Sequence, residues 1–272
     1  MKSIIIPAAL LAGLSPAAAF AQEEGGKAVT LSGSATIASD YRFRGVSQSD
    51  KEMAVQGGLT LSHESGLYAG VWASNLAGWG SFGGANMELD LIGGYKLPIS
   101  ATATLDAGLV WYMYPGGADE SDFAEPYGKL TGTTGPATLT VGVAYAPKQH
   151  ALANVSNAPG SRGQSEDNLY LWGDGAVAIA GTPFTAKAHI GYSDGNPGLG
   201  PNGTSVAPTG RYWDWSLGVD TTWRNLTLGL SYVDTDIGGA EAARLQPNFS
   251  KGPGGTGSIA DATIVASMTA AF

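Results

Sequence analysis

The chain has 272 residues, 43% hydrophobic and only 14% charged, with 41 glycines, no cysteine and a formal net charge of −9. The acidic balance argues against a nucleic-acid partner, which needs a basic face. The lack of cysteine excludes disulfides and thiolate metal sites. No window after the first residues approaches the ~20 apolar residues of a membrane-spanning helix.

The N-terminus reads as a secretory signal peptide over residues 1–21. Lys2 supplies the positive start, Ile4 to Leu14 the apolar run, and Ala19-Phe20-Ala21 the small-residue cleavage pattern. A polar periplasmic leader follows over residues 22–30, and residues 31–272 read as one β domain.

That domain opens with LSGSATIASDYRFR, residues 31–44. Leu31, Gly33, Ala35, Ile37, Tyr41 and Phe43 fall on one face, while Ser32, Ser34, Thr36, Asp40, Arg42 and Arg44 fall on the other. Alternation at period two is the mark of a strand. The run is long enough for a tilted strand to cross a bilayer, which takes about 9–11 residues. The same pattern recurs over residues 53–62, 67–75, 86–96, 101–114, 123–132, 137–145, 168–179, 184–192, 211–223, 226–234 and 261–272. The sixth of these twelve segments is the weakest, because Pro126 sits inside it and cannot donate to a ladder.

Long and short connections alternate from the first to the last. Short turns fall at residues 63–66, 97–100, 133–136, 180–183 and 224–225; the intervening connections, such as 146–167 and 235–260, are longer. This pattern predicts an all-β fold, a transmembrane antiparallel up-and-down β-barrel of about 12 strands with short periplasmic turns and longer extracellular loops. Tyr41, Phe43, Trp111, Trp213, Trp215, Trp223 and Phe272 then fall near the ends of lipid-facing columns, where aromatic girdles sit. A soluble sandwich or closed barrel with an inward apolar face is the competing architecture.

Two stretches carry a family resemblance. SDYRFRGVSQSD, Ser39 to Asp50, with AVQGG, Ala54 to Gly58, closely resembles the TorF family of Gram-negative outer-membrane proteins. The terminal strand ending in Phe272 resembles the signal read by the bacterial barrel-assembly machinery. The resemblance implies localisation to the cell outer membrane, contact with its lipid and a porin-like role, and it brings no catalytic residues.

Enzyme signals are sparse, and neither a cofactor nor a resident metal is expected. His63 falls in a turn, His150 in a long loop and His189 on the lumen side of a strand, away from the lipid where a barrel phospholipase with a Ser–His pair would meet its substrate. Gly198 to Gly203 is a flexible loop with no helix after it to bind phosphate, and Asp234 with Asp236 reads as solvated loop ahead of cation site. The informative charges are those predicted to face inward: Asp40, Arg42, Arg44, Glu88, Asp90, Lys96, Asp106, Lys129, Lys187, Asp214 and Asp220. Charges lining a lumen tune selectivity. The expectation is a narrow channel for small polar solutes or ions; the alternative is a non-conducting barrel whose long loops bind a ligand or partner. Arg42 and Arg44 have two readings, as an electropositive constriction favouring anions or as braces paired with carboxylates at the mouth.

Overall fold

The computed structural model describes residues 28–79, 84–117, 121–153, 164–197, 206–207, 209–246, 248–252 and 254–272. The predicted signal peptide lies outside the described residues, as do parts of five of the long connections. The strands are β1 (Val29–Ala38), β2 (Arg42–Phe43), β3 (Val46–Ser47), β4 (Ala54–His63), β5 (Leu67–Asn75), β6 (Met87–Ser100), β7 (Ala103–Met113) and β8 (Phe123–Thr134). They continue with β9 (Ala137–Gln149), β10 (Glu166–Ala178), β11 (Phe184–Pro197), β12 (Thr209–Trp223), β13 (Leu226–Thr235) and β14 (Thr263–Ala271), with a short α-helix, α1 (Gly239–Arg244), between the last two and a 3-10 turn at His150–Leu152 after β9.

All strands except β2 and β3 form one closed barrel, each hydrogen-bonded to its sequence neighbour and β1 closing on β14. Every pairing is antiparallel, so the twelve-stranded up-and-down expectation holds. Closure leaves no strand edge unpaired, which a bilayer requires because it offers no water to satisfy an open edge. The exterior carries Leu31, Val55, Leu61, Leu91, Val141, Leu171, Ile190, Leu217, Leu230 and Ile264, all exposed. Trp111, Trp213, Trp223 and Phe272 are exposed among them, and Trp215 is half-buried. An apolar outer band with a polar interior is the reverse of a soluble barrel.

Two local features explain how the weaker segments join. Pro126 pairs with Leu109 of β7, whereas the β8–β9 ladder begins only at Tyr127, so the missing N–H falls where no partner strand needs it. Gly142 faces inward beneath Trp172; a Cβ there would run into the indole ring, so only glycine lets the ring lie flat on the wall.

The first segment departs from expectation. The barrel strand starts at Val29, inside the predicted leader, and stops at Ala38 rather than running on to residue 44. Residues 39–52 turn into the lumen and form a plug containing the β2–β3 hairpin. Arg44 (φ 49°) and Gly45 (φ 78°) make its left-handed turn. Tyr41 and Phe43 therefore do not belong to a lipid-facing girdle: they are buried inside the barrel, Tyr41 edge-on to Trp72 at 5.5 Å and Phe43 edge-on to Tyr112 at 5.9 Å. Alternation continues through the plug because a short hairpin shares the strand's two-residue period. The apolar partners of these rings lie in the lumen instead of in lipid.

Candidate functional site

The long connections gather at one end of the barrel, the loop end, and the short turns at the other. The predicted inward residues sort into three levels between these ends.

At the loop end the plug is fixed by its two arginines. Arg42 donates from Nε to Asp40 Oδ2 at 2.6 Å and from Nη1 to the carbonyls of Gly45, Ile259 and Asp261 at 2.9–3.1 Å. It thus ties the plug to the connection between β13 and β14. That connection forms a cap, in which Leu245, Phe249 and Ile259 share an apolar cluster with Val46 of the plug and Tyr212 of the wall. Arg44 reaches the wall itself. Its Nη2 donates to both Glu125 oxygens at 2.6 and 2.7 Å, Nη1 donates to Asn168 Oδ1 at 2.7 Å, and the guanidinium lies 4.2 Å from the Tyr170 ring centre. Burial opposes the charge on Arg44, and the Glu125 carboxylate more than offsets it, so the guanidinium titrates above its ordinary value. Asp40, Arg42 and Arg44 are inside the barrel, but on the plug rather than on a strand of the barrel wall. Both arginines are paired, which is the bracing arrangement; they do not form an electropositive ring.

Glu88 and Asp90 stand on β6 beside this plug, 1% and 0% exposed. Among the described residues neither has an ion-pair partner; the Tyr41 hydroxyl of the plug is turned to Glu88, and nothing donates to Asp90. Asp90 is flanked across the sheet by Trp72 of β5 and Tyr112 of β7.

At mid-height His189 bridges two carboxylates, Nδ1 to Asp174 Oδ1 at 2.6 Å and Nε2 to Asp214 Oδ1 at 3.1 Å, with the Tyr170 hydroxyl 3.0 Å from Nε2. Among the described residues no serine or threonine hydroxyl hydrogen-bonds to His189, and the group braces β10, β11 and β12 across the sheet.

Towards the turn end the lining becomes more accessible. Lys187 pairs with Asp220 at 2.8 Å and Lys129 with Asp106 at 3.5 Å; Asp106 is buried and the other three are part-buried. Tyr68 donates to Asp106 at 2.7 Å and meets the Tyr127 hydroxyl, while the Lys96 ammonium sits 5.1 Å from the Tyr68 ring centre. Threonine pairs, Thr36 with Thr269 and Thr131 with Thr140, line the remaining wall.

Glu125 and Asn168 are absent from the predicted site residues, although strand parity supplies them; parity places Asp174 and His189 on the lumen side, without a site role. Glu125 lies four residues before Lys129 on β8, and Asp174 lies on the Tyr170–Trp172 face of β10. Which carboxylate Arg44 would meet was not readable, because that contact spans 81 positions in sequence.

The sequence pattern that defines Gcw_chp, a bacterial family of unknown function, matches residues 22–272. The chain belongs to the Gcw_chp family. No curated protein sequence matches it. Among solved structures, this Gcw_chp chain is similar to the NanC porin, with a TM-score of 0.54 at 12% identity, covering 89% of this chain and 99% of that one. It is also similar to the KdgM porin, solved in complex with disordered oligogalacturonate, with a TM-score of 0.50 at 7% identity, covering 89% and 98%. At such identities the likeness is one of fold: the Gcw_chp chain shares the barrel of outer-membrane porins.

Proposed function

We propose that this protein is a porin-like channel of the bacterial outer membrane that passes small polar solutes or ions, held closed at its outer end by the plug of residues 39–52. The observation that carries the reading is the lining of the turn-end half, where Lys96, Asp106, Lys129, Lys187 and Asp220 face inward among threonines on a barrel of porin fold. A purely structural interior has no need of part-exposed charges, whereas a water-filled passage uses them to tune selectivity. The loop end faces outward in this reading, and the lipid of the outer membrane surrounds the apolar band. Phe272, at the end of β14, serves as the signal for the barrel-assembly machinery, and the Ser39–Asp50 block that resembles the TorF family is the plug itself.

One observation favours a second reading. The loop-end half is packed, with Tyr41, Phe43, Trp72, Tyr112, Phe123, Leu152 and Tyr170 in one buried cluster. A permanently filled barrel that presents its cap to a ligand or partner would have this core as well. Conductance in a planar bilayer separates the two. A channel gives discrete opening events, which a filled barrel never gives at any voltage.

A further inference from the structure

Arg42 and Arg44 are the only buried arginines or lysines among the described residues, and both belong to the plug. The wall around the plug, from the loop end to mid-height, is acidic. Glu88 and Asp90 on β6, Glu125 on β8 and Asp214 on β12 are all buried. Arg42 is taken up by Asp40 and three carbonyls of the plug and cap, so only Arg44 and His189 offset the wall. Among the described residues Glu88 faces only the Tyr41 hydroxyl of the plug, Asp90 has no donor, and neither has a cationic partner. An uncompensated carboxylate away from water is strongly unfavourable, and a cation brought to it relieves that cost.

The place held by Arg44 is shaped for such a cation. Glu125 presents both oxygens to one nitrogen, Asn168 accepts from a second, and the Tyr170 face covers the guanidinium plane. A carboxylate fork with an aromatic face suits planar guanidinium or a primary ammonium. Beside it, Trp72 and Tyr112 flank Asp90 in the same acid–aromatic combination, and Tyr41 of the plug stands against both Glu88 and Asp90. Residues 39–52 thus cover an acidic wall and insert one cation of their own into it.

We infer that the loop end of the lumen is a binding site for solutes carrying a guanidinium or primary ammonium group, and that Arg44 is a tethered occupant which such a solute displaces. The inference rests on the porin-like reading for passage, though not for binding. It assigns the lumen a preference for cations, opposite to the anion preference expected if Arg42 and Arg44 formed a charged constriction.

The full chain refolded in detergent tests binding. Arg44→Ala vacates the place, and Arg44→Met, which keeps the aliphatic stem, is measured in parallel. Millimolar guanidinium chloride should raise the unfolding temperature of either variant by several degrees more than sodium chloride of equal ionic strength. It should leave the wild type unmoved, and adding Glu125→Gln should abolish the shift. Equal shifts with both salts would overturn the inference. Passage is tested by reversal potentials of the same variants in a potassium chloride gradient. Potassium should be preferred, and Glu88→Gln with Asp90→Asn should cut that preference several-fold. An anion preference, or none, would overturn the inference, the latter because it would mean the two carboxyls are neutral. A guanidinium-specific shift without any conductance would sustain the binding site and remove the porin-like reading. Conductance without that shift would do the reverse.

Discussion

Arg44 and Glu125, 81 residues apart, form a two-oxygen contact at 2.6 and 2.7 Å in which both side chains are almost wholly buried. Removing one member of such a pair leaves the other charge unpaired in a water-poor site, at a cost of about 3–5 kcal/mol. Glu125→Leu should therefore lower the unfolding temperature markedly. Combining it with Arg44→Met should cost much less than the two single changes added together, since the double variant leaves no orphan charge. Thermal unfolding in detergent of all four proteins measures the coupling; simple additivity would mean the pair does not pin the plug.

Trp172 lies over Gly142 on the adjoining strand, and a Cβ at that position would meet the indole. Gly142→Val should displace the ring from its stack on Tyr170, where the centroids are 5.7 Å apart, and should cost about 1–3 kcal/mol as overpacking. Quenching or a shift of tryptophan emission, with a lower unfolding temperature, is the expected result. Gly128 has open space at its Cβ position, so Gly128→Ala is the control that should change neither.

The end-to-end asymmetry of the connections fixes an orientation to be measured. An epitope placed in the 150–165 connection should be accessible on intact cells, whereas one placed in the 64–66 turn should become accessible only after the outer membrane is permeabilised. Labelling of the short turn alone on intact cells would invert the barrel.

Phe272 closes the seam. Its N–H donates to the Gly33 carbonyl at 3.0 Å, its carbonyl accepts from the Gly33 N–H at 2.8 Å, and its ring covers Gly33, where a Cβ would come within 2.6 Å. Phe272→Ala keeps the backbone bonds and removes the ring. It should reduce the amount of membrane-inserted, heat-modifiable protein. An unchanged yield would show that the terminal aromatic is dispensable for both assembly and closure.

The barrel was legible in the sequence because one face of every strand is apolar, as an outer face turned to lipid would be. Leu105, Leu109 and Trp111 of β7 alternate with Asp106, Val110 and Tyr112 for that reason, and the parity of each strand follows from its outward leucines. The plug was not legible. The same period-two pattern runs unbroken through Tyr41, Arg42, Phe43 and Arg44, and nothing in it marks where the chain leaves the wall. Local signals there, Gly45 and the serine-rich Ser47 to Ser49, suit a surface turn equally well. What decides the matter is tertiary: Glu125, Asn168 and Tyr170, on strands far along the chain, give Arg44 a buried partner set that a surface turn lacks.

The most direct test of the plugged-channel account is single-channel recording of the wild type beside a variant in which residues 40–50 are replaced by a short glycine–serine turn, both purified as folded barrels. The account predicts a wild type closed for most of the record and a variant that conducts steadily. If the variant keeps its barrel circular dichroism and its heat-modifiable mobility yet never conducts, the lumen is filled independently of the plug and the channel reading is wrong.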